Sequence, residues 1–275
     1  MTIWQTTRFR IDLTTPRIMG IVNVTPDSFS DGGLHASAAA ALAHCEQLCA
    51  EGAEILDIGG ESTRPGALPA STDEELARVL PVVEGALRLG VPVSVDTSKP
   101  EVMRAALALG ADIVNDVAAL QAPGAVEAVA DHPSCGICLM HMQGEPRTMQ
   151  QAPAYDDVVA EVGAFLALRG DLLRQRGVGA ERIVYDPGIG FGKTLEHNLA
   201  LLRRQAELLA RVRPLLVGWS RKSALGAITG RAVGERVTAG VAAALLAVER
   251  GARIVRVHDV AATRDALQVW RAVQG

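Results

Sequence analysis

The stretch RIMGIVNV, residues 17–24, is the first of eight short apolar segments of this chain that share one pattern. The others are AEILDIG (53–59), VPVSVD (91–96), ADIVND (111–116), GICLMHM (136–142), RIVYDPG (182–188), RPLLVGWS (213–220) and ARIVRVHD (252–259). Six of the eight are almost continuously apolar, which is typical of parallel strands covered on both faces. A polar loop and a helix-compatible stretch follow each one. The pattern predicts an α/β fold, a (β/α)8 TIM barrel, with a doubly wound parallel sheet as the alternative.

The length agrees with this fold, because a (β/α)8 barrel needs about 250 residues and the chain has 275. We therefore expect a single barrel domain over residues 1–275. Phe9, Ile11 and Leu13 alternate with polar residues, which predicts that residues 1–16 form a short N-terminal β-hairpin closing one end of the barrel. Helices long enough to cover the strands are expected at 73–89, 155–176, 195–211 and 234–250.

Composition and charge narrow the possible partners. Half of the residues are hydrophobic (49%) and 21% are charged, which is typical of a globular protein with a full core. The net charge of −4 leaves no broad basic surface for a nucleic acid or an anionic membrane, so we expect neither as a partner. The N-terminal sequence MTIWQTTRFRIDL has no long apolar run, and we expect a cytoplasmic protein with no signal peptide or membrane span.

Polar residues follow the predicted strands at the end where a (β/α)8 barrel carries its active site. They are Asn23, residues 61–64, Asp96, Asn115, Asp116, His141, Asp186, residues 220–222, Arg256 and His258. Any single one could be an ordinary turn residue, since Asn, Asp and Ser are common in turns. Together they place carboxylates, an amide and cationic groups around one opening, which indicates a site.

Two long loops at this end, NVTPDSFSDGG (23–33) and GGESTRPGALPA (59–70), combine glycine and proline with hydroxyl and charged groups. Such loops are suited to ordered closure over a ligand. The alternative is an ordinary surface loop. Phe29 argues against it, because an aromatic ring at an exposed loop tip needs something to stack on.

Three local features have competing interpretations. Arg256 and His258 share one face of a strand and could clamp an anion, but Arg256 could instead form an ion pair with Asp259. Asp96 could cap the helix that opens at SKPEV, although Ser98 is the better-placed cap. The loop DPGIGFGKT (186–194) lacks the spacing of a Walker phosphate loop and is expected to place Phe191 and Lys193 beside whatever Asp186 binds.

At these residues the chain resembles the dihydropteroate synthases, a family of pterin-binding enzymes. The motifs are NVTPDSFSDGG, DIGGESTRPGA, SVDTSKP, NDV, LMHMQGEPRTMQ, DPGIGFGKT, SRKS and RVHDV, in the family's order over nearly the whole barrel. The resemblance implies a transferase of alkyl or aryl groups other than methyl. It would condense 6-hydroxymethyl-7,8-dihydropterin diphosphate with 4-aminobenzoate to give 7,8-dihydropteroate and diphosphate, a step of folate biosynthesis, by dissociative substitution.

The resemblance also implies roles for individual residues. The pterin would be bound by Asp96, Asn115, Met140, Asp186, Gly218 and Lys222. The diphosphate would be bound by Asn23, Thr63, Arg64, Arg256 and His258. The aminobenzoate would be bound by Phe29, Thr63, Pro65, Phe191, Ser220 and Lys222. Catalytic roles fall to Asp27, Arg64, Asp96 and Lys222, Asn23 would bind Mg²⁺, and the chain would form a homodimer.

Two other functions remain open at this stage. A pterin-dependent methyltransferase barrel would share the pterin slot but would have no use for a diphosphate clamp or for amine-binding residues such as Phe29 and Pro65. A catalytically silent pterin-binding paralogue should have damaged loop motifs, and both loops carry their motifs intact.

Overall fold

The protein is described by a computed structural model that covers residues 2–25, 33–63 and 66–274, without the side chains of 33–36. Strands β1 (Ile3–Gln5) and β2 (Arg10–Asp12) pair antiparallel as a hairpin. Eight parallel strands follow: β3 (Arg17–Asn23), β4 (Ile55–Gly59), β5 (Val93–Asp96), β6 (Ile113–Asp116), β7 (Gly136–Met140), β8 (Ile183–Asp186), β9 (Leu216–Val217) and β10 (Ile254–Val257). All eight begin and end within the predicted segments.

The eight strands form a nearly closed barrel. Their order in the sheet is β8-β7-β6-β5-β4-β3-β10-β9, so neighbours in the chain are neighbours in space and β3 also pairs with β10. A parallel bridge between Tyr185 and Leu215 brings β8 beside the start of β9, which joins the two ends of the sheet. The predicted (β/α)8 barrel is thus confirmed, because a doubly wound sheet would keep two free edges.

Helices lie between the strands and cover the barrel. They are α1 (Gly33–Glu51), α2 (Thr72–Ala86), α3 (Pro100–Leu109), α4 (Ala125–Ala130), α5 (Val158–Gln175), α6 (Leu195–Arg203), α7 (Gln205–Arg211), α8 (Ser223–Thr229), α9 (Val237–Glu249) and α10 (Val260–Gln274). The single helix predicted over 195–211 is interrupted at Arg204, between α6 and α7. Over the ranges that the structure covers, we find no helix with the length and apolar character of a membrane span.

The hairpin closes the N-terminal end of the barrel, as predicted. Trp4, Ile11 and Leu13 are buried, and the indole of Trp4 donates a hydrogen bond of 2.9 Å to the carbonyl of Arg182. The three side chains pack in one apolar cluster with inward residues from the first halves of the barrel strands, namely Met19, Ile55, Ile113, Cys138, Val184, Leu216 and Ile254. This end of the barrel is therefore filled by apolar side chains.

The inward side chains become polar at the opposite end of the same strands. Side chains two residues apart on a strand share a face, so the positions that follow the apolar layer also point into the barrel. These positions hold Ile21, Asp57, Asn115, Met140, Asp186, Gly218 and Arg256, and four of these seven residues carry a charged or amide group. A layer of charged and amide groups therefore stands at the carboxyl ends of the strands, where barrel enzymes carry their active sites.

Candidate active site

An ion-pair network around Arg256 forms the centre of the polar layer. Nε of Arg256, on β10, donates to Oδ2 of Asp57 on β4 at 2.5 Å, and Nη2 donates to Oδ2 of Asp96 on β5 at 2.6 Å. The same Asp57 oxygen accepts a hydrogen bond of 3.1 Å from Nδ2 of Asn115 on β6. Side chains from four strands are therefore joined in one hydrogen-bonded network around the guanidinium group. The alternative pairing of Arg256 with Asp259 is wrong, because Asp259 pairs with Arg221 at 2.6 Å.

Burial and the neighbouring charged groups set the pKa values of this network. Burial raises the pKa of Asp96 to about 7, against the opposing effect of Arg256 and with a further contribution from Asp57. Although burial disfavours its charge, Arg256 keeps a raised pKa because Asp57 and Asp96 lie beside it. The site thus holds a fixed cation next to a carboxyl group that changes its charge near neutral pH.

A third carboxylate and an amine lie near this network. Asp186 ends β8 and is buried, and its Oδ1 accepts a hydrogen bond of 2.7 Å from the backbone N–H of Gly188. Lys222 lies before α8, and its Nζ is 4.1 Å from the centre of the Phe191 ring. Burial raises the pKa of Asp186. Burial, together with the charge of Arg256, lowers the pKa of Lys222 to about 8.

An apolar wall borders these groups. Met140 and Phe191 are buried in one cluster with Val117 and Met149, so the wall combines residues from the ends of β6, β7 and β8. Gly188 adopts a positive φ of 69°, and a Cβ there would lie 1.8 Å from the carbonyl oxygen of His141. Only glycine permits this close approach, so the β8–α6 loop is held against the end of β7 and keeps Phe191 in place.

Lys193 and His141 lie behind this wall, which differs from the expectation that Lys193 stands beside the ligand of Asp186. Nζ of Lys193 is buried, lies 2.9 Å from Nδ1 of His141 and donates to the carbonyl of Phe191 at 3.0 Å. Burial lowers the pKa of Lys193 to about 7. Burial and the neighbouring Lys193 lower the pKa of His141 to about 3. The pair ties the β7–α5 and β8–α6 loops together rather than facing the opening.

Two of the predicted diphosphate residues line one cavity. Asn23, at the end of β3, and His258, after β10, border a cavity of about 530 Å³ together with His44 and Gln47 of α1. Nδ1 of His258 lies 3.1 Å from Oγ of Ser220. Burial and the charge of Arg256 lower the pKa of His258 to about 3, so its imidazole is neutral at physiological pH.

Thr63 lines a different cavity, of about 240 Å³, which it shares with Asp96. The predicted diphosphate set is thus divided between two cavities, with Arg256 of the ion-pair network bonded to Asp96. Gly218 stands beside Arg256, since a Cβ at this glycine would lie 3.9 Å from Cβ of Arg256. The remaining predicted residues, Asp27, Phe29, Arg64 and Pro65, lie outside the described residues.

Asp96 does not cap the helix that follows it. Helix α3 begins at Pro100, its N-cap residue is Lys99, and no side chain accepts a hydrogen bond there. Oγ1 of Thr97 accepts a hydrogen bond of 3.2 Å from the N–H of Lys99, so Ser98 is not the cap either. The carboxylate of Asp96 is left to Arg256 and to the cavity that it lines.

Two charged features near the site were not predicted from the sequence: the carboxylate of Asp57 and the ion pairs of Lys99. Asp57 is fully buried at the centre of the network, and its signal was a lone carboxylate at an inward position of the apolar strand ILDIG. Lys99 bonds both Glu61 and the buried Glu75, which anchors the segment that leads to Thr63. No local signal pointed to that second group, because its members are 14 or more residues apart.

A (β/α)8 barrel with buried carboxylates, an amide and a lysine around an apolar wall is suited to an enzyme that binds a flat, hydrogen-bonding heterocycle. The arginine and the neutral imidazole beside it are suited to an anionic group of the same ligand. The comparison with known proteins agrees. The model of the pterin binding enzyme family matches residues 19–258.

Three highly similar proteins carry the same name. The dihydropteroate synthase of Neisseria meningitidis serogroup B is 57% identical over 98% of this chain and 97% of its own length. Among solved structures, the synthase of Xanthomonas albilineans with 4-aminobenzoic acid has 53% identity and a TM-score of 0.91, covering 97% of this chain and 96% of that one. The synthase of Burkholderia cenocepacia complexed with 7,8-dihydropteroate has the same identity and TM-score, with coverages of 99% and 96%.

The chain therefore belongs to the pterin-binding enzymes and, within them, to the dihydropteroate synthases. It is a transferase of alkyl or aryl groups other than methyl. The resemblance seen in its motifs is confirmed, and the alternative of a methyltransferase barrel is not supported by these relatives.

Proposed function

We propose that the chain joins 6-hydroxymethyl-7,8-dihydropterin diphosphate to 4-aminobenzoate, releasing diphosphate, and that the residues of the polar layer carry out this reaction. The observation that carries the proposal is the meeting of Asp57, Asp96, Asn115 and Arg256 in one hydrogen-bonded network. Asp186 and Lys222 lie close enough to act on each other's pKa, and the charge of Arg256 acts on the pKa of both.

The pterin ring would occupy the slot between Asp96 and Asp186. Its exocyclic amine and adjacent ring N–H form a donor edge that the buried Asp186 can bind in paired fashion. Asn115 donates its amide N–H to Asp57, which leaves the amide oxygen as an acceptor for the ring. Lys222 would reach the ring carbonyl, and Met140 would contact the ring face.

The diphosphate would bind where Arg256, Asn23 and His258 stand. Two of the N–H groups of Arg256 are bonded to Asp57 and Asp96, and a guanidinium has five such donors, so donors remain for phosphate oxygens. His258 would donate from its neutral ring. Thr63 would bind the same group from the cavity that it shares with Asp96, and Arg64 is expected to bind it as the family resemblance implies.

The residues at the end of β3 fit a Mg²⁺ ion shared with the substrate. Asn23 offers one amide oxygen at an open cavity, and the described residues contain no cluster of three or more His, Cys, Asp or Glu that would hold a metal alone. Mg²⁺ commonly uses one or two protein oxygens together with water and substrate phosphates. When bound, Mg²⁺ would help neutralise the charge that develops on the leaving diphosphate.

The bond between the pterin methylene carbon and the diphosphate oxygen would break before the new bond forms. This dissociative step leaves a cation conjugated with the pterin ring, which Asp96 and the loop residue Asp27 would stabilise and shield from water. The aminobenzoate nitrogen then attacks the methylene carbon and loses a proton. Phe191 with the loop residues Phe29 and Pro65 would hold the aromatic ring. Ser220, Thr63 and Lys222 would bind at the carboxylate end.

We also expect the enzyme to be a cytoplasmic homodimer, as the resemblance to its family implies. Light scattering coupled to size exclusion measures the mass of the assembly in solution. A mass of one chain would contradict the dimer.

The decisive experiment is incubation of the purified protein with the dihydropterin diphosphate, Mg²⁺ and 4-aminobenzoate. Dihydropteroate and pyrophosphate should appear in equal amounts, and a chelator should slow both. Isothermal titration separates the remaining alternative: a silent pterin-binding paralogue would bind the pterin diphosphate without any diphosphate-dependent uptake of aminobenzoate. Pterin binding without product would overturn the proposed activity.

A further inference from the structure

Asp57 is an ionisable group buried in the barrel at a position that none of the predicted substrate contacts explains. Its side chain is 0% exposed and lies on the inward face of β4, two residues after the apolar Ile55. A carboxylate taken out of water is costly unless charged or hydrogen-bonding partners compensate for the lost hydration. Its partners therefore indicate why the strand carries it.

A single oxygen of Asp57 accepts hydrogen bonds from both of its partners, Asn115 and Arg256. Oδ2 accepts from Nδ2 of Asn115 at 3.1 Å and from Nε of Arg256 at 2.5 Å. An ionised carboxylate only accepts hydrogen bonds, so Asn115 must turn its NH₂ group towards Asp57 and its oxygen away from it. Asp57 thereby decides that Asn115 presents an acceptor, not a donor, on its other side.

The same carboxylate fixes the inner edge of Arg256. The guanidinium is a planar fork, and two contacts, Nε on Asp57 and Nη2 on Asp96, define its plane. The side chain of Arg256 keeps 20% exposure, and the described residues give its Nη1 no hydrogen bond. Without Asp57, Arg256 would have Asp96 as its one remaining carboxylate partner among those residues.

We propose that Asp57 is a positioning residue for the synthase reaction, which orients Asn115 towards the pterin ring and Arg256 towards the diphosphate without touching either ligand. This inference rests on the roles assigned to Asn115 and Arg256 above. Groups that orient ligand-binding side chains from behind commonly change affinity or activity by about 10- to 100-fold when they are removed.

The first test is Asp57→Asn, which is nearly isosteric and removes the charge. We expect kcat/KM for the pterin diphosphate to fall by roughly 10- to 100-fold, while KM for aminobenzoate stays within about threefold. The matched control is Ser94→Ala. Ser94 is the register partner of Asp57 on β5 and is equally buried, but its hydroxyl has no hydrogen-bond partner among the described residues. The Ser94→Ala variant should keep kcat/KM within about threefold of the wild-type value. Wild-type kinetics in Asp57→Asn would overturn the proposal.

A double-mutant cycle separates positioning from general stability. Because Asp57 acts partly through Arg256, adding Asp57→Asn to Arg256→Gln should cost a smaller fold-loss in pterin diphosphate affinity than Asp57→Asn costs in the wild-type protein. A loss of affinity in the double variant equal to the product of the two single losses would refute the proposal. The double variant also remains testable if Asp57→Asn alone melts too low, because the two substitutions together remove one negative and one positive charge and keep the net charge of the network unchanged.

The pH profile provides a readout that a purely structural residue would not move. The charge of Asp57 helps to raise the pKa of Asp96, as do Asp116 and Glu75, whereas Arg256 opposes them. Removing the charge of Asp57 should therefore shift the acid limb of kcat/KM to lower pH, and an unshifted limb would count against the proposal. If the wild-type enzyme forms no dihydropteroate, the proposed function fails. If the wild-type enzyme forms dihydropteroate and the Asp57 variants have wild-type kinetics, this inference fails and the proposed function stands.

Discussion

The two ends of the barrel use the same strands for opposite purposes. At the N-terminal end the inward residues are apolar and pack against Trp4 and the hairpin. At the carboxyl end the inward residues two positions further on include the charged residues Asp57, Asp186 and Arg256. The comparison teaches that stability and chemistry are separated along the barrel axis, so a substitution should affect mainly one of them according to the end at which it lies.

The largest expected effect is at the apolar end. Trp4→Ala should lower the free energy of unfolding by about 3–5 kcal/mol, because it removes a fully buried indole and leaves a cavity. Chemical denaturation measures this loss, and kcat/KM of the folded protein should change little. Trp270→Ala on α10, where the ring is only partly buried, is the matched control and should lose clearly less. A large fall in kcat/KM for Trp4→Ala would mean that the two ends are coupled.

Lys222→Ala tests the polar end. We expect pterin affinity to fall by roughly 10²- to 10³-fold, because a buried hydrogen-bond donor to the ring is lost. Thermal melting should show little loss of stability, since the substitution removes an amine whose charge is disfavoured by burial. Titration calorimetry with a pterin measures the affinity. Wild-type affinity would remove Lys222 from the pterin slot, and a large loss of stability would blur the separation of the two ends.

The pH dependence of the free enzyme sharpens the same point. Burial raises the pKa of Asp96 to about 7, so kcat/KM should fall by about tenfold per unit below pH 7, where the carboxylate is protonated. Burial lowers the pKa of Lys222 to about 8, so kcat/KM should also fall above pH 8, where the ammonium is lost. Lys222→Arg should remove the alkaline limb. A flat profile between pH 6 and 9 would contradict both assignments.

The smallest effect is expected from the loop residue Phe29. Phe29→Ala should raise KM for aminobenzoate by about tenfold while leaving pterin diphosphate affinity unchanged, because its proposed contact is with the second substrate only. Steady-state kinetics with each substrate varied in turn provides both values. A larger effect on the pterin diphosphate would contradict the proposed role.

The sequence was sufficient for the barrel because its signals are local and repeated. Each apolar strand segment, such as RIVYDPG, leads into a polar loop, and the alternation of Phe9, Ile11 and Leu13 identified the hairpin. Pairings across the barrel were not accessible in this way. Arg256 was expected to bind an anion or to pair with Asp259. The anion remains a prediction, and the ion pairs that Arg256 forms are with Asp57 and Asp96, which are 199 and 160 residues away. Such contacts depend on strand register, which no short stretch of sequence specifies.

The closure of the N-terminal end has a consequence for how the chain is made. Trp4 bonds the carbonyl of Arg182 and packs with Ile254, so it leaves the ribosome well before its final partners do. Contacts so distant in sequence form slowly, since a long loop must close first. During synthesis the indole of Trp4 and its apolar neighbours therefore remain exposed to water. Binding by a chaperone at this stage would protect them from aggregation.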